Sequence, residues 1–425
     1  MVKNNQNSVV KITTKDKIYQ GLLMPSSSKS ITVLKLDSGY NIGISKDKIK
    51  SIKKIKSVKE KEIKKEKIAF NKNLPTVLIL HCGGTIASKV DYETGAVKAK
   101  FTPEDIISMF PELKNIANIK SKLISQMFSE DMRFSHYNKI AEEISKNLNV
   151  KGVIISHGTD TLHYTASALS FILENINIPI ILVGAQRSSD RGSTDAYLNL
   201  ISAVYFIAKS NFRGVGICMH SSTEDKACYI LPPCKTRKLH TSRRDAFKVV
   251  NDSPIVKIFK NDIKIYRNIE MPKEKFQLKL IKPNLKIGII KSHPNMYERE
   301  LDCYRKFDGL IIEGTGLGHF PINKIDNLTQ EHLKIYNKLK QLSKKMPIVM
   351  TSQCLFGSLN MNVYSTGRKL QDIGIIGNLT DILPETAFIK LAWLISNHKK
   401  DIKKLWNENL RGEINKRILP EQYLE

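Results

Sequence analysis

Two rhythms of apolar and polar positions divide the chain. Near the start, short apolar-polar runs at Ser8–Thr13, Tyr19–Met24, Ile31–Leu36 and Tyr40–Ile44 read as strands. Asp37-Ser-Gly39 supplies a turn before the fourth. Four or five short strands packed so closely predict a small β-barrel of the SH3-like kind. From Leu74 onward, continuous apolar runs alternate with stretches of helical spacing. Strands are expected at Thr76–Leu80, Gly152–Ser156, Ile178–Val183 and Gly214–Met219. Helices are expected from Thr102-Pro103, over Ser135–Asn147, over Thr161–Leu173 and over Asp195–Ser210. Strands that alternate with helices imply a parallel, doubly wound sheet. The rhythm pauses in the charged, proline-containing stretch Arg267–Pro283. It resumes in a smaller unit with strands at Leu285–Ile290, Gly309–Glu313 and Ile348–Thr351, and helices over Leu383–Asn397 and Asp401–Asn409. The expected units are therefore residues 1–70, a basic barrel and linker, then α/β domains over 71–270 and 271–425.

Composition adds two points. The formal net charge is +27, which favours an anionic partner such as nucleic acid. Residues 1–70 alone carry seventeen lysines and no arginine against six acids. Lysine is abundant throughout, with Ile and Asn, so a coding bias is the competing explanation. Six cysteines are scattered without a C-x-x-C pair, which suggests neither a zinc site nor a disulfide framework. A reducing cytoplasm is the expected setting. No apolar run reaches the length of a membrane span.

The candidate chemistry sits at strand ends. Thr76-Val-Leu-Ile-Leu-His-Cys-Gly-Gly-Thr-Ile-Ala-Ser88 is a buried strand that stops in two glycines and a threonine. Thr85 is there either a nucleophile or the cap of a strand-to-helix turn. Gly152-Val-Ile-Ile-Ser-His-Gly-Thr-Asp-Thr161 repeats the design. In a parallel sheet both ends face the same edge, so Thr85, Thr159 and Asp160 can share a cleft. Ile181–Arg187 is a third strand with a glycine turn, and Gln126–Asp131 places Ser129 beside acids. Cys234–Asp245 carries five cations in twelve residues. A desolvated lysine in such a loop can accept a proton; a solvated or RNA-facing loop has the same pattern.

The pair His81-Cys-Gly-Gly-Thr-Ile-Ala87 and His157-Gly-Thr-Asp-Thr161 resembles the bacterial-type L-asparaginase family. The resemblance implies a two-domain asparaginase-like α/β core with parallel sheets, here preceded by the small SH3-like barrel. Further stretches, among them Arg237–Phe247, Glu313–His319, Thr351–Cys354, Asn360–Gly367 and Leu383–Ala387, look like the amide-hydrolysing subunits of archaeal tRNA-dependent amidotransferases. That family resemblance covers the whole chain.

It implies the following roles. Thr85 attacks the amide and Tyr92, on a lid, helps position it. Thr159 is linked through Lys238 to Asp160. Ser129 and Asp160 hold the α-carboxylate and α-ammonium of the amino acid. Backbone N–H groups near Gly158 and Thr159 are expected to face the oxyanion. The implied reaction is hydrolysis of glutamine through a threonyl ester, with ammonia passed to a partner, the E-type amidotransferase subunit. That partner uses ATP and Mg to convert Glu-tRNA(Gln) to Gln-tRNA(Gln), in a heterotetramer built on a homodimer of this chain. The chain itself has no G-x-x-x-x-G-K-[ST] loop, and no metal or cofactor is expected in it. The alternatives are a stand-alone cytoplasmic asparaginase and a non-catalytic RNA-binding relic. Cys82 stands where the family usually has threonine, and is expected to be a buried isostere. His157 is expected to be structural; Glu313 and His319 are left without a role.

Overall fold

The structure, a computed structural model, describes residues 8–24, 26, 28–36, 41–57, 70–84, 88–90, 97–99, 102–187, 193–259, 262–267 and 274–423. The N-terminal unit is a five-stranded antiparallel sheet. In spatial order its strands are Asn41–Ser45, Ile31–Lys35, Ile18–Met24, Ser8–Thr14 and Ile49–Ser57. Alternation works as the pattern requires: Val10, Ile12, Leu23, Leu34 and Ile44 form its small core, while Lys11 points out. A single 3-10 turn, Lys46–Lys48, joins the two edge strands.

The larger α/β unit is built on an eight-stranded sheet. Five strands are parallel: Asn118–Leu123, Thr76–His81, Gly152–Ser156, Pro179–Val183 and Gly214–His220. Helices Phe134–Ser145, Leu162–Ile172 and Ala196–Lys209 cover its faces. Helix Pro103–Met109 starts where Thr102-Pro103 demanded; the Thr102 hydroxyl accepts from the Asp105 N–H.

The parallel strands expected from the pattern are present, and three further strands extend the sheet. Ala227–Leu231, Val256–Phe259 and Asp262–Ile265 extend the sheet antiparallel. The cause is loop length: only Ser221 to Lys226 separates Gly214–His220 from the next strand. A parallel return needs a crossover of about a dozen residues or more, so a hairpin is the available solution.

The smaller unit has three parallel strands, Ile287–Lys291, Gly309–Gly314 and Ile348–Ser352, with helices Gln330–Ser343, Ser365–Asp372 and Pro384–Asn397. The expected last helix is shorter than its pattern, Ile402–Trp406. Within the stretch read as a pause, residues 274–283 are tied to the larger unit. Gln277–Leu278 pairs with Leu173–Glu174, and Ile281 is buried. The Asn138 side chain donates to the Ile281 carbonyl at 2.6 Å and accepts from its N–H at 3.1 Å.

Helix Pro384–Asn397 joins the units. Phe388 stacks on Phe134 at 5.4 Å and meets Tyr164 edge-on at 6.1 Å. One continuous core thus runs from the large sheet to the smaller one. Among the described residues, no helix is long and apolar enough to cross a membrane.

Candidate active site

The strands Thr76–His81 and Gly152–Ser156 run parallel and in register, ending with His81 opposite Ser156. Beyond that pair the first chain turns on Gly83 and Gly84, with φ of +102° and +83°, a region disfavoured for residues with a Cβ. Space imposes the same choice. A Cβ on Gly83 would lie 2.1 Å from the Met127 carbonyl oxygen, and one on Gly84 would lie 2.6 Å from the His157 carbonyl oxygen. The two glycines therefore wedge the end of the first strand between the Met127–Ser129 loop and the start of the second motif. Thr85, which follows Gly84, and Tyr92 lie outside the described residues.

At the second strand end, Lys238 joins Thr159 and Asp160. Its ammonium donates to Thr159 Oγ1 at 2.9 Å and to Asp160 Oδ1 at 2.8 Å. The Lys238 side chain is 10% exposed and that of Asp160 is 67% exposed. The pair thus runs from the protein interior to an open face. Gly184, at the third strand end, makes room for this group: a Cβ there would lie 2.8 Å from Thr159 Cγ2. The Gly184 turn is held by buried Asp195, which accepts from the Gln186 and Arg187 N–H groups at 3.0 Å each.

Ser129 is buried beside Gly158, where a Cβ would meet the Ser129 side chain at 2.9 Å. The Thr161 N–H donates to Ser129 Oγ at 3.3 Å, and the Thr161 hydroxyl donates to the Ser129 carbonyl at 2.5 Å. The structure thus brings Ser129, Thr159, Asp160 and Lys238 together from three segments of the chain.

His157 is fully buried and satisfied at both nitrogens. Nδ1 meets the Gly158 carbonyl at 2.7 Å and Nε2 meets Thr165 Oγ1 at 2.8 Å. This fixes the Nδ1–H tautomer, and burial lowers its pKa to about 4. Cys82 is buried too, and burial pushes its thiol up to about 12. It is a poor nucleophile in that state.

Sequence reasoning missed the support of Lys238. Lys238 lies on the short strand Thr236–Lys238, which pairs with Phe247–Val249 in a two-stranded ribbon. Its neighbour Arg237 reaches back to Glu385, Nη2 to Oε1 at 3.1 Å. Burial raises the Glu385 pKa, Arg237 opposes the rise and Glu313 adds to it. Glu313 lies at a strand end of the smaller sheet. His319 packs edge-on to Tyr364 at 5.3 Å. A signal for Glu385 existed, since Pro384-Glu385 is the pattern of a first helical turn. That pattern does not disclose a distant arginine. Among the described residues, no group of three His, Cys, Asp or Glu is placed to hold a metal ion.

Two strand ends in register, a glycine wedge and a Lys-bridged Thr-Asp pair define an asparaginase-type enzyme fold. Residues 76–271 match the family described as "Asparaginase, N-terminal" and residues 286–406 match "Glutaminase/Asparaginase C-terminal domain". The L-asparaginase from Thermococcus kodakarensis is similar with a TM-score of 0.71 and 25% identity, over 80% of this chain and 100% of that one. L-asparaginase I from Vibrio cholerae aligns with a TM-score of 0.68 and 26% identity, over 80% and 99% of the two chains.

The remaining part narrows the class, because residues 5–55 match "GatD N-terminal domain". The D-type subunit (GatD) of the glutamyl-tRNA(Gln) amidotransferase from Pyrococcus furiosus is 43% identical, covering 98% of this chain and 95% of its own. Its counterpart from Methanococcus maripaludis is 42% identical, over 96% and 98%. The chain belongs to the GatD family of glutamyl-tRNA(Gln) amidotransferase subunits.

Proposed function

We propose that this chain hydrolyses glutamine to supply ammonia for the conversion of Glu-tRNA(Gln) to Gln-tRNA(Gln). The observation that carries the reading is the ammonium of Lys238 shared between Thr159 and Asp160, next to the glycine turn that leads into Thr85. A threonine hydroxyl is a weak nucleophile at neutral pH and needs a positioned proton acceptor. In this reading the Thr85 Oγ attacks the side-chain carboxamide carbon, and its proton leaves with help from Tyr92. The carbonyl becomes an oxyanion faced by backbone N–H groups near Gly158 and Thr159, each worth a few kcal/mol in comparable sites. The C–N bond then breaks. The group Thr159, Lys238 and Asp160 relays the proton that the nitrogen takes as it leaves as ammonia. Water resolves the threonyl ester to glutamate by the reverse sequence of proton transfers. Ser129 and Asp160 hold the α-carboxylate and α-ammonium.

The ATP- and Mg-dependent step belongs to the E-type subunit (GatE), which binds the Glu-tRNA(Gln) and assembles with a homodimer of this chain in a heterotetramer. The setting is cytoplasmic.

The test uses the complex of this chain with GatE and Glu-tRNA(Gln). Thr85→Ala is expected to abolish amidation driven by glutamine and to leave amidation driven by added ammonium chloride intact. Unchanged glutamine-dependent amidation would overturn the assignment. Rapid hydrolysis of asparagine by the isolated chain, without tRNA, would point instead to a free asparaginase.

A further inference from the structure

The ribbon that carries Lys238 is slight, yet Lys238 must hold two hydrogen bonds at once. A two-stranded hairpin is marginal on its own, so something else fixes it. Three contacts do so, all from the segment Asp381–Thr386 of the smaller unit. Lys235 Nζ meets Asp381 Oδ2 at 2.6 Å, with both side chains buried. The Thr386 hydroxyl donates to the Cys234 carbonyl at 2.9 Å. Arg237 meets Glu385 at 3.1 Å. The first two hold the approach to the strand. Only the third grips the residue next to Lys238.

Successive side chains of a strand point to opposite faces. Arg237 engages the smaller unit on one face, while Lys238 engages Thr159 and Asp160 on the other. Fixing the Arg237 fork thus fixes the twist that aims Lys238. The far end of the fork is equally well anchored. Glu385 lies in the first turn of helix Pro384–Asn397, which packs through Phe388 on Tyr164. Tyr164 belongs to helix Leu162–Ile172, which follows directly on Thr159, Asp160 and Thr161. Glu385 is the point where the mount of the lysine meets the mount of its two acceptors.

Stability alone gives a poor account of this carboxylate. Its side chain is 9% exposed, and Oε2 has no hydrogen-bond partner among the described residues. A buried ion pair is often no more stabilising than apolar residues of the same volume. We propose that Glu385 is a positioning residue: through Arg237 it holds the Thr236–Lys238 strand at the twist that keeps the Lys238 ammonium on both Thr159 and Asp160. The inference rests on Lys238 serving the amide hydrolysis described above.

The test is a double-mutant cycle on the full chain in complex with GatE and Glu-tRNA(Gln), with glutaminase kcat and KM measured separately. Glu385→Leu fills the site without charge. It is expected to lower kcat 10- to 100-fold with KM within threefold and the thermal midpoint within a few degrees. Glu385→Gln, which keeps the shape and one acceptor, is expected to recover most of the loss. If Glu385→Leu does not fold, Arg237→Met, which removes the other half of the pair, is the measured variant and is expected to lower kcat by the same factor. In a Lys238→Arg background, either Glu385 change should cost no further activity, because the group being aimed is already misplaced. Wild-type kcat in Glu385→Leu or in folded Arg237→Met, or losses in either that multiply those of Lys238→Arg, overturns the inference. Full activity in Lys238→Met would instead remove the site reading on which it rests.

Discussion

The α-carbon of Gly84 faces the carbonyl of His157 so closely that a methyl group has no place between them. This single approach brings the two glycine-rich strand ends together. Alanine at 84 faces a clash with backbone on one side and a positive φ on the other. Gly84→Ala is expected to destabilise the chain by about 2–4 kcal/mol, from left-handed strain plus displaced backbone. It should also lower glutamine hydrolysis by at least about 100-fold, the cost of a misplaced reacting group. Urea melts and the hydrolysis assay check the two effects separately.

Acid sensitivity should begin near neutral pH. His81 and His157 are held down to about 4 and His163 to about 3, in each case chiefly by burial. In the unfolded chain they titrate near 6.5. Between these values the unfolded state binds more protons, so stability rises with pH and levels off above about 6.5. Falling pH from 6.5 towards 4 should progressively lower the urea midpoint. His157→Gln should flatten part of that slope, and an unchanged slope would contradict the buried neutral assignment.

Lys390 and Glu413 form a fully buried pair at 2.6 Å. The ammonium also donates to the carbonyls of Trp406 and Glu408. Lys390→Met leaves the carboxylate without its cation, and about 3–5 kcal/mol of stability should be lost. Lys390 bonds Trp406, Glu408 and Glu413, none of them a proposed site residue, so kcat of the folded fraction should be unchanged. Chemical denaturation with active-site titration measures both.

Cys82 sits directly before the two glycines of the turn. Its thiol is buried and neutral, so it contributes volume rather than chemistry. Cys82→Ser should keep kcat within about twofold and cost about 1–3 kcal/mol, the penalty of burying a hydroxyl in place of a thiol. In the wild type, iodoacetamide should label the exposed Cys303 and Cys354 first, with activity unaffected while Cys82 stays unmodified.

Much of this was legible because periodicity is a local signal. The apolar runs before Gly83 and Gly158 marked buried strands, and the glycines marked their ends. Thr102-Pro103 marked a helix start for equally local reasons. What escaped detection was non-local or depended on loop length. The antiparallel extension follows from the short connection Ser221 to Lys226, which breaks no apolar pattern. The stretch Arg267–Pro283 is charged enough to read as a connector, yet Ile281 is buried and fastened by Asn138. Arg237 and Glu385 lie 148 positions apart in sequence, so nothing near either residue announces the other. The lysine was visible in its basic loop and its link to Thr159 and Asp160 came from the family resemblance; its mount on Arg237 and Glu385 needed the fold.

The in-register ending of Thr76–His81 and Gly152–Ser156 restricts what kinds of change this lineage can accumulate. One residue added to or removed from either strand would slide its loop by about 3.3 Å and turn its side chains to the opposite face. Side chains along these strands can therefore drift while strand length cannot. Insertions and deletions should be confined to connections that leave the level of the two strand ends untouched, such as the polar turn Ser221 to Lys226.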